Sequence, residues 1–129
     1  MDGIRIFKMN QRDNSKLKFF EGFNSIGFYP KRIFYILGDK NEARGNHAHK
    51  EQTQFMVCLQ GKMEISCDDG ENKSTYILNK DNAIMVNPLI WSEQIYLEHG
   101  SLLLVLADGP YSENEYLRNY ADFMRYIKK

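Results

Sequence analysis

Turn residues interrupt this chain at close intervals, and the runs between them are short, β-branched and aromatic. That rhythm constrains the fold more than any other feature, because runs this short read as strands and leave no room for a helical bundle. Residues 4–7 begin the series and residues 17–20 follow. The run Arg32-Ile33-Phe34-Tyr35-Ile36-Leu37 is stopped by Gly38-Asp39, a turn pair that strands seldom continue through. Residues 55–59 and 63–67 flank Gln60-Gly61-Lys62, and Asp68-Asp69-Gly70 turns the chain back through residues 74–78; both read as tight hairpins. Residues 83–86, 93–96 and 101–107 complete the strands, and Pro30, Pro88 and Pro110 fall where strands end. The expected body is all-β and antiparallel, a sandwich or barrel. The tail differs. Ser112 and Glu115 have capping-box spacing, and Tyr116, Leu117, Tyr120, Phe123, Met124 and Ile127 recur at helical intervals, which predicts a C-terminal helical segment closing over the body.

A chain of 129 residues is expected to form one domain over 1–129, since two separate cores would each be too small. Hydrophobic residues at 43% and charged residues at 26% place it among globular rather than disordered proteins. Seventeen basic residues balance 17 acidic ones, so no cationic excess is available to neutralise a nucleic-acid backbone. Apolar stretches such as residues 102–107 are too short to span a bilayer, and the first residues carry charges where a signal peptide would need an apolar run. Cys58 and Cys67 form no CxxC motif and lie in strand-like runs. Free thiols, and so a cytoplasmic protein, are the expectation.

The chemistry concentrates in Arg44-Gly45-Asn46-His47-Ala48-His49-Lys50. On a strand, residues two apart share a face at about 6.6 Å, so His47 and His49 are expected to face one cavity. Two such imidazoles can bind a metal or move protons, or they can simply line a core. Counting from His49, four residues lead to Gln54 and six more to Gly61. This frame is similar to the first cupin motif, except that an amide stands at the carboxylate position. The later strand, Asn87-Pro88-Leu89-Ile90-Trp91-Ser92-Glu93, offers no further histidine, and His99 sits beside Gly100 in a turn. Two histidines and a neutral Gln54 are a poor set for zinc or iron, so no metal and no cofactor is expected. Free imidazoles suit acid–base work near neutral pH.

The heptapeptide resembles the R-G-x-H-A-H-K signature of the dTDP-4-keto-6-deoxyglucose 3,4-ketoisomerases, small cupin-fold enzymes of bacterial surface-sugar biosynthesis. The likeness extends over about residues 30–127, through Arg32-Ile33-Phe34-Tyr35-Ile36, Val57-Cys58-Leu59-Gln60-Gly61, Pro88-Leu89-Ile90-Trp91 and the tyrosine-rich tail from Tyr111 to Tyr120. It implies a cupin-like antiparallel β-barrel of the jelly-roll type with a short C-terminal helical segment. It also implies a metal-independent exchange of the C4 ketone and C3 hydroxyl of a dTDP-4-keto-6-deoxyhexose. The product would pass to a pyridoxal-phosphate aminotransferase that installs a 3-amino group, and the enzyme would be a homodimer. Carried over by position, His47 is the C3 base, His49 the shuttle between oxygens and Tyr35 a hydroxyl donor at the sugar. Arg44 has the guanidinium fork that suits a diphosphate or developing oxyanion, and Gln54 would hydrogen-bond into the same cavity. Trp91 is expected to pack the body and Arg118 to serve in an ion pair. The family often has Trp-His on the late strand, where this chain has Trp91-Ser92. Two readings from other classes compete: a non-catalytic nucleotide-sugar-binding cupin, and a metal-dependent cupin enzyme using His47 and His49.

Overall fold

The structure, a computed structural model, describes residues 1–128. In chain order its strands are β1 (Ile4–Lys8), β2 (Asn10–Arg12), β3 (Leu17–Phe19), β4 (Arg32–Gly38), β5 (Ala43–His49), β6 (Gln54–Gln60), β7 (Met63–Asp68), β8 (Lys73–Leu78), β9 (Asn82–Val86), β10 (Trp91–Tyr96), β11 (Ser101–Ala107) and β12 (Tyr116–Leu117). Helix α1 (Gly22–Ile26) follows β3, a 3-10 turn spans Glu113–Glu115, and α2 (Tyr120–Ile127) comes last. The first sheet has the order β1-β9-β6-β11-β4 and the second β12-β5-β10-β7-β8, while β2 and β3 form a separate hairpin. All pairings are antiparallel. The expected jelly-roll body is therefore present as two facing sheets rather than a closed barrel.

Alternation along each strand builds the core. Met56 and Cys58 of β6 and Leu103 and Val105 of β11 meet Met63, Ile65 and Cys67 of β7 and Tyr96 of β10 between the sheets. Interdigitating apolar side chains of two sheet faces are the main driving force of such a sandwich. Cys58 and Cys67 are free and buried, and burial pushes their thiols up to about 11 and about 12. No helix among the described residues is long and apolar enough to cross a membrane.

Three local expectations change. The turn at Gln60-Gly61-Lys62 does not close a hairpin: β6 pairs with β9 and β11 in the first sheet and β7 with β8 and β10 in the second, so the chain crosses between the sheets there. The helix begins at Tyr120, not near Tyr116, and its cap is Asn119, whose side chain accepts from the Asp122 amide at 3.0 Å. Ser112 makes no side-chain capping bond. The Glu115 carboxylate accepts instead from the backbone amides of Glu51 and Gln52, at 2.5 and 2.8 Å, so the chain continues as β12 alongside β5. Beyond it, α2 covers the outer face of the second sheet. Phe123 packs there with Ala48 and Leu117, with Trp91 against them, which is the packing role expected of Trp91.

Candidate active site

The site is built on β5, and a bulge sets its geometry. Gln94 of β10 faces Arg44 and Glu93 faces Gly45, but Ser92 faces His47, so Asn46 is an extra residue without a partner. Gly45 (φ +96°) and Asn46 (φ +57°) adopt the left-handed conformation, as bulges often require. A Cβ on Gly45 would lie 2.9 Å from the Ser92 carbonyl oxygen. Simple alternation would send Arg44 and His47 to opposite faces. The extra residue restores phase, and Arg44, His47 and Gln94 all reach one cavity.

That cavity, about 330 Å³, opens between the two sheets. Phe34, Ile36, Met56, Leu103 and Val105 give it an apolar wall from the first sheet, where Gln54 adds a buried amide. Arg44 and His47 face it from β5, and Tyr116 and Arg118 from the C-terminal segment. His47 Nδ1 donates to the Gly45 carbonyl at 3.1 Å. That bond holds the proton on Nδ1 and leaves Nε2 as the basic nitrogen. Burial, reinforced by the nearby Arg118 charge, lowers the His47 pKa and keeps the ring neutral.

His49 lies deeper, 7% exposed and off the cavity wall, with neither ring nitrogen hydrogen-bonded in the protein. Burial, then the charges of His47, Arg32 and Arg118, take its pKa down to about 3. His47, His49 and Tyr116 form a triangle of rings with centroids 5.1, 4.9 and 4.7 Å apart. The Tyr116 oxygen accepts from Arg32 Nη1 at 3.2 Å.

The C-terminal wall is tied in by register and by charge. Tyr116 and Leu117 pair with His49 and Ala48. Arg118 lies 4.2 Å over the Tyr116 ring and donates to Glu113 through Nε at 2.5 Å and Nη2 at 3.1 Å. Tyr111 donates to the same carboxylate at 2.7 Å. The Arg118 bond, with Tyr111 second, holds the Glu113 carboxyl down to about 2. Arg118 is thus the expected ion-pair partner, and it is a cavity residue as well.

Of the residues singled out in the sequence, Arg44, His47 and Gln54 line the cavity and His49 backs it. Tyr35 does not join them. Phe34 and Ile36 take the inward positions of β4, which leaves Ile33, Tyr35 and Leu37 on the outer face, 64, 70 and 67% exposed. Its hydroxyl cannot meet a sugar held between the sheets, and the expected donor role is corrected on that ground. Sequence reasoning passed over Arg32 and Tyr116, although both stand within segments already marked by the resemblance. Among the described residues, no three His, Cys, Asp or Glu side chains come together as a metal-binding group. The donor set beside the cavity, two imidazoles and an amide, does not fit a zinc or iron centre.

Known proteins are similar to this chain in sequence and fold. Residues 2–128 match the family described as FdtA: WxcM-like, C-terminal. A TDP-4-oxo-6-deoxy-alpha-D-glucose-3,4-oxoisomerase from Aneurinibacillus thermoaerophilus is 36% identical over 107 residues, which is 81% of this chain and 77% of that protein. The crystal structure of QdtA, a sugar 3,4-ketoisomerase from Thermoanaerobacterium thermosaccharolyticum in complex with TDP, superposes with a TM-score of 0.92 at 31% identity, over 99% of this chain and 96% of QdtA. A 3,4-ketoisomerase from Helicobacter canadensis gives a TM-score of 0.90 at 35% identity, over 100% and 99% of the two chains.

Proposed function

This chain belongs to the FdtA (WxcM-like, C-terminal) family, and from that premise we propose that it is a metal-independent 3,4-ketoisomerase of a dTDP-4-keto-6-deoxyhexose. The enzyme is an isomerase; its reaction moves a carbonyl from C4 to C3 through an enediol. The observation that carries this reading is His47, a neutral imidazole on the wall of a sugar-sized cavity with its Nε2 free. The C3 proton is acidified by the adjacent C4 ketone. Nε2 removes it, the C3–H electron pair becomes the C3=C4 bond, and the carbonyl pair moves onto O4. The same imidazole then returns a proton to C4 as the C3 ketone forms. His49 is the second imidazole of the site and Gln54 a neutral hydrogen-bonding group at the sugar. Arg44 and Arg118, both about half exposed, supply two guanidinium forks suited to the diphosphate.

The product, a 3-keto sugar, is the substrate class of a pyridoxal-phosphate aminotransferase, and we assign the pair of reactions to biosynthesis of 3-amino-3,6-dideoxy surface sugars. Two buried free thiols support a reducing, cytoplasmic setting. We place the whole activity in one domain over 1–129 and assign a homodimer to the outer face of the first sheet. There Ile33, Tyr35 and Leu37 stand beside partly buried Leu104 and Leu106, an apolar surface of the kind that interfaces cover. Tyr35 belongs to that surface.

The test is proton NMR of dTDP-4-keto-6-deoxyglucose in D₂O with metal-stripped protein, trapping the 3-keto product with a 3-aminotransferase. A 3-amino sugar is the expected result. His47→Asn should lower kcat by about 10³-fold or more with the fold intact by circular dichroism. Unchanged substrate with folded wild-type protein would instead favour a nucleotide-sugar-binding protein.

A further inference from the structure

We propose that Tyr116 is the catalytic group that exchanges protons with the two sugar oxygens, and that Arg32 positions it. The inference rests on the ketoisomerase reading and deepens it. That reaction needs a carbon base and also a group that gives a proton to O4 and takes one from O3. The second group must touch the cavity. His49 is off the wall, behind His47 and Tyr116, whereas Tyr116 is on the wall and within ring contact of the base.

Hydrogen-bond direction supplies the chemistry. Arg32 has no lone pair to offer, so the Tyr116 oxygen is the acceptor of the 3.2 Å bond from Nη1. The phenol proton therefore points elsewhere, and no acceptor for it stands among the described residues. A tyrosine whose oxygen rests against a guanidinium can release that proton to a substrate oxygen, because the phenolate left behind is stabilised in place. Arg32 is itself held. Its Nη2 reaches Gln52 Oε1 at 3.5 Å, the Gln52 amide nitrogen donates to the Pro110 carbonyl at 2.8 Å, and the guanidinium lies against the Phe34 and Tyr111 rings. Arg32 does not line the cavity, so it acts through Tyr116.

The balance closes without a further reagent. As His47 takes the C3 proton and negative charge develops on O4, Tyr116 gives its proton to O4, and the enediol forms beside a phenolate. The phenolate then takes the proton from O3, the C3=O bond forms, and the imidazolium returns a proton to C4. Both groups end as they began. One hydroxyl serves both oxygens because they are on adjacent, nearly coplanar carbons of the enediol. His49 becomes the neutral ring that packs against Tyr116 and His47 and holds them in register.

The experiment compares wild type, Tyr116→Phe, Arg32→Met and His47→Asn by steady-state kinetics and by deuterium entry at C3 of recovered substrate in D₂O. Tyr116→Phe should lower kcat by about 10²-fold or more with KM little changed. It should still admit deuterium at C3, because His47 can form an enolate that reverts before its oxygen is protonated. His47→Asn should lose both. Arg32→Met should lower kcat with KM preserved, which loss of a merely structural contact would not do selectively. Tyr116→Phe turning over within a few-fold of wild type overturns the assignment, as does a Tyr116→Phe defect confined to KM. Wild-type protein that gives neither exchange nor product overturns the ketoisomerase reading itself and this inference with it.

Discussion

The two polar walls of the cavity are made in opposite ways. On β5 the chemistry is local: residues 44–49 supply Arg44, the bulge and both histidines within one strand. The adjoining wall, residues 111–118, has no regular element longer than three residues. It is placed by what it touches: β12 pairing with His49 and Ala48, Glu115 bound to the amides of Glu51 and Gln52, and Arg32 reaching Tyr116 from β4. One wall is specified by residue type and spacing, the other by tertiary contact. Catalysis needs the two rings, His47 and Tyr116, to meet across that divide.

Breaking the β5 wall should have the largest effect on activity. In Gly45→Ala the new methyl meets the Ser92 carbonyl oxygen at 2.9 Å, in a backbone conformation that disfavours a side chain. We expect a stability loss of about 1–3 kcal/mol in urea unfolding. If the bulge is lost to relieve the clash, Arg44 turns out of the cavity and activity falls far more than stability. Unchanged KM and kcat in Gly45→Ala would show that the bulge does not set the site.

Acid should act on stability, and its effect sharpens the contrast at the seam between the walls. His49 has a folded pKa of about 3 against an ordinary 6.5, so over that interval the unfolded chain binds the proton and the folded one does not. Stability is unaffected by this group above pH 6.5 and declines as pH falls through the interval, by up to about 1.4 kcal/mol per pH unit. His49→Asn should flatten that slope. A variant with the wild-type slope would assign the acid sensitivity elsewhere.

The smallest effect is expected on the other wall. Glu115→Gln keeps an acceptor for the Glu51 and Gln52 amides but loses its charge, and should cost about 1 kcal/mol. Because Tyr116 is the next residue, kcat should fall several-fold while substrate affinity stays near wild type. A purely additive stability loss with unchanged kcat would mean that the second wall needs no such anchor.

The legibility of the sequence follows the same divide. The turn at Gly61, the hairpin at Gly70 and the His47–His49 face could be read because turn chemistry and alternation are local properties, whereas the pairing of β6 away from β7 is a tertiary choice that the turn at Gly61 does not announce. Tyr35 was misplaced because β4 is apolar on both faces: Phe34 and Ile36 alternate with Ile33, Tyr35 and Leu37, so no polar partner marks which side is inside. The S-x-x-E spacing at Ser112 and Glu115 carried a valid helix signal, but the carboxylate found two amides far away in sequence. Asn119, the actual cap, was masked by Tyr116 and Leu117, which fit the helical period while lying in a strand. Arg118 reads equally well as a surface ion pair, and only the packing of residues 111–118 over β5 puts it beside the base.

The two buried thiols give the molecule an internal clock. Cys58 is on the first sheet and Cys67 on the second, each facing the other sheet across the core, and neither is reactive while its pKa stands near 11 or 12. A thiol reagent therefore records only openings of the sandwich, and the two labelling rates time each half separately. Equal rates would mean that the sheets part as a unit. If Cys67 labels faster, the half that carries β5 breathes on its own, and the catalytic rings would be the first part of the core to lose their alignment.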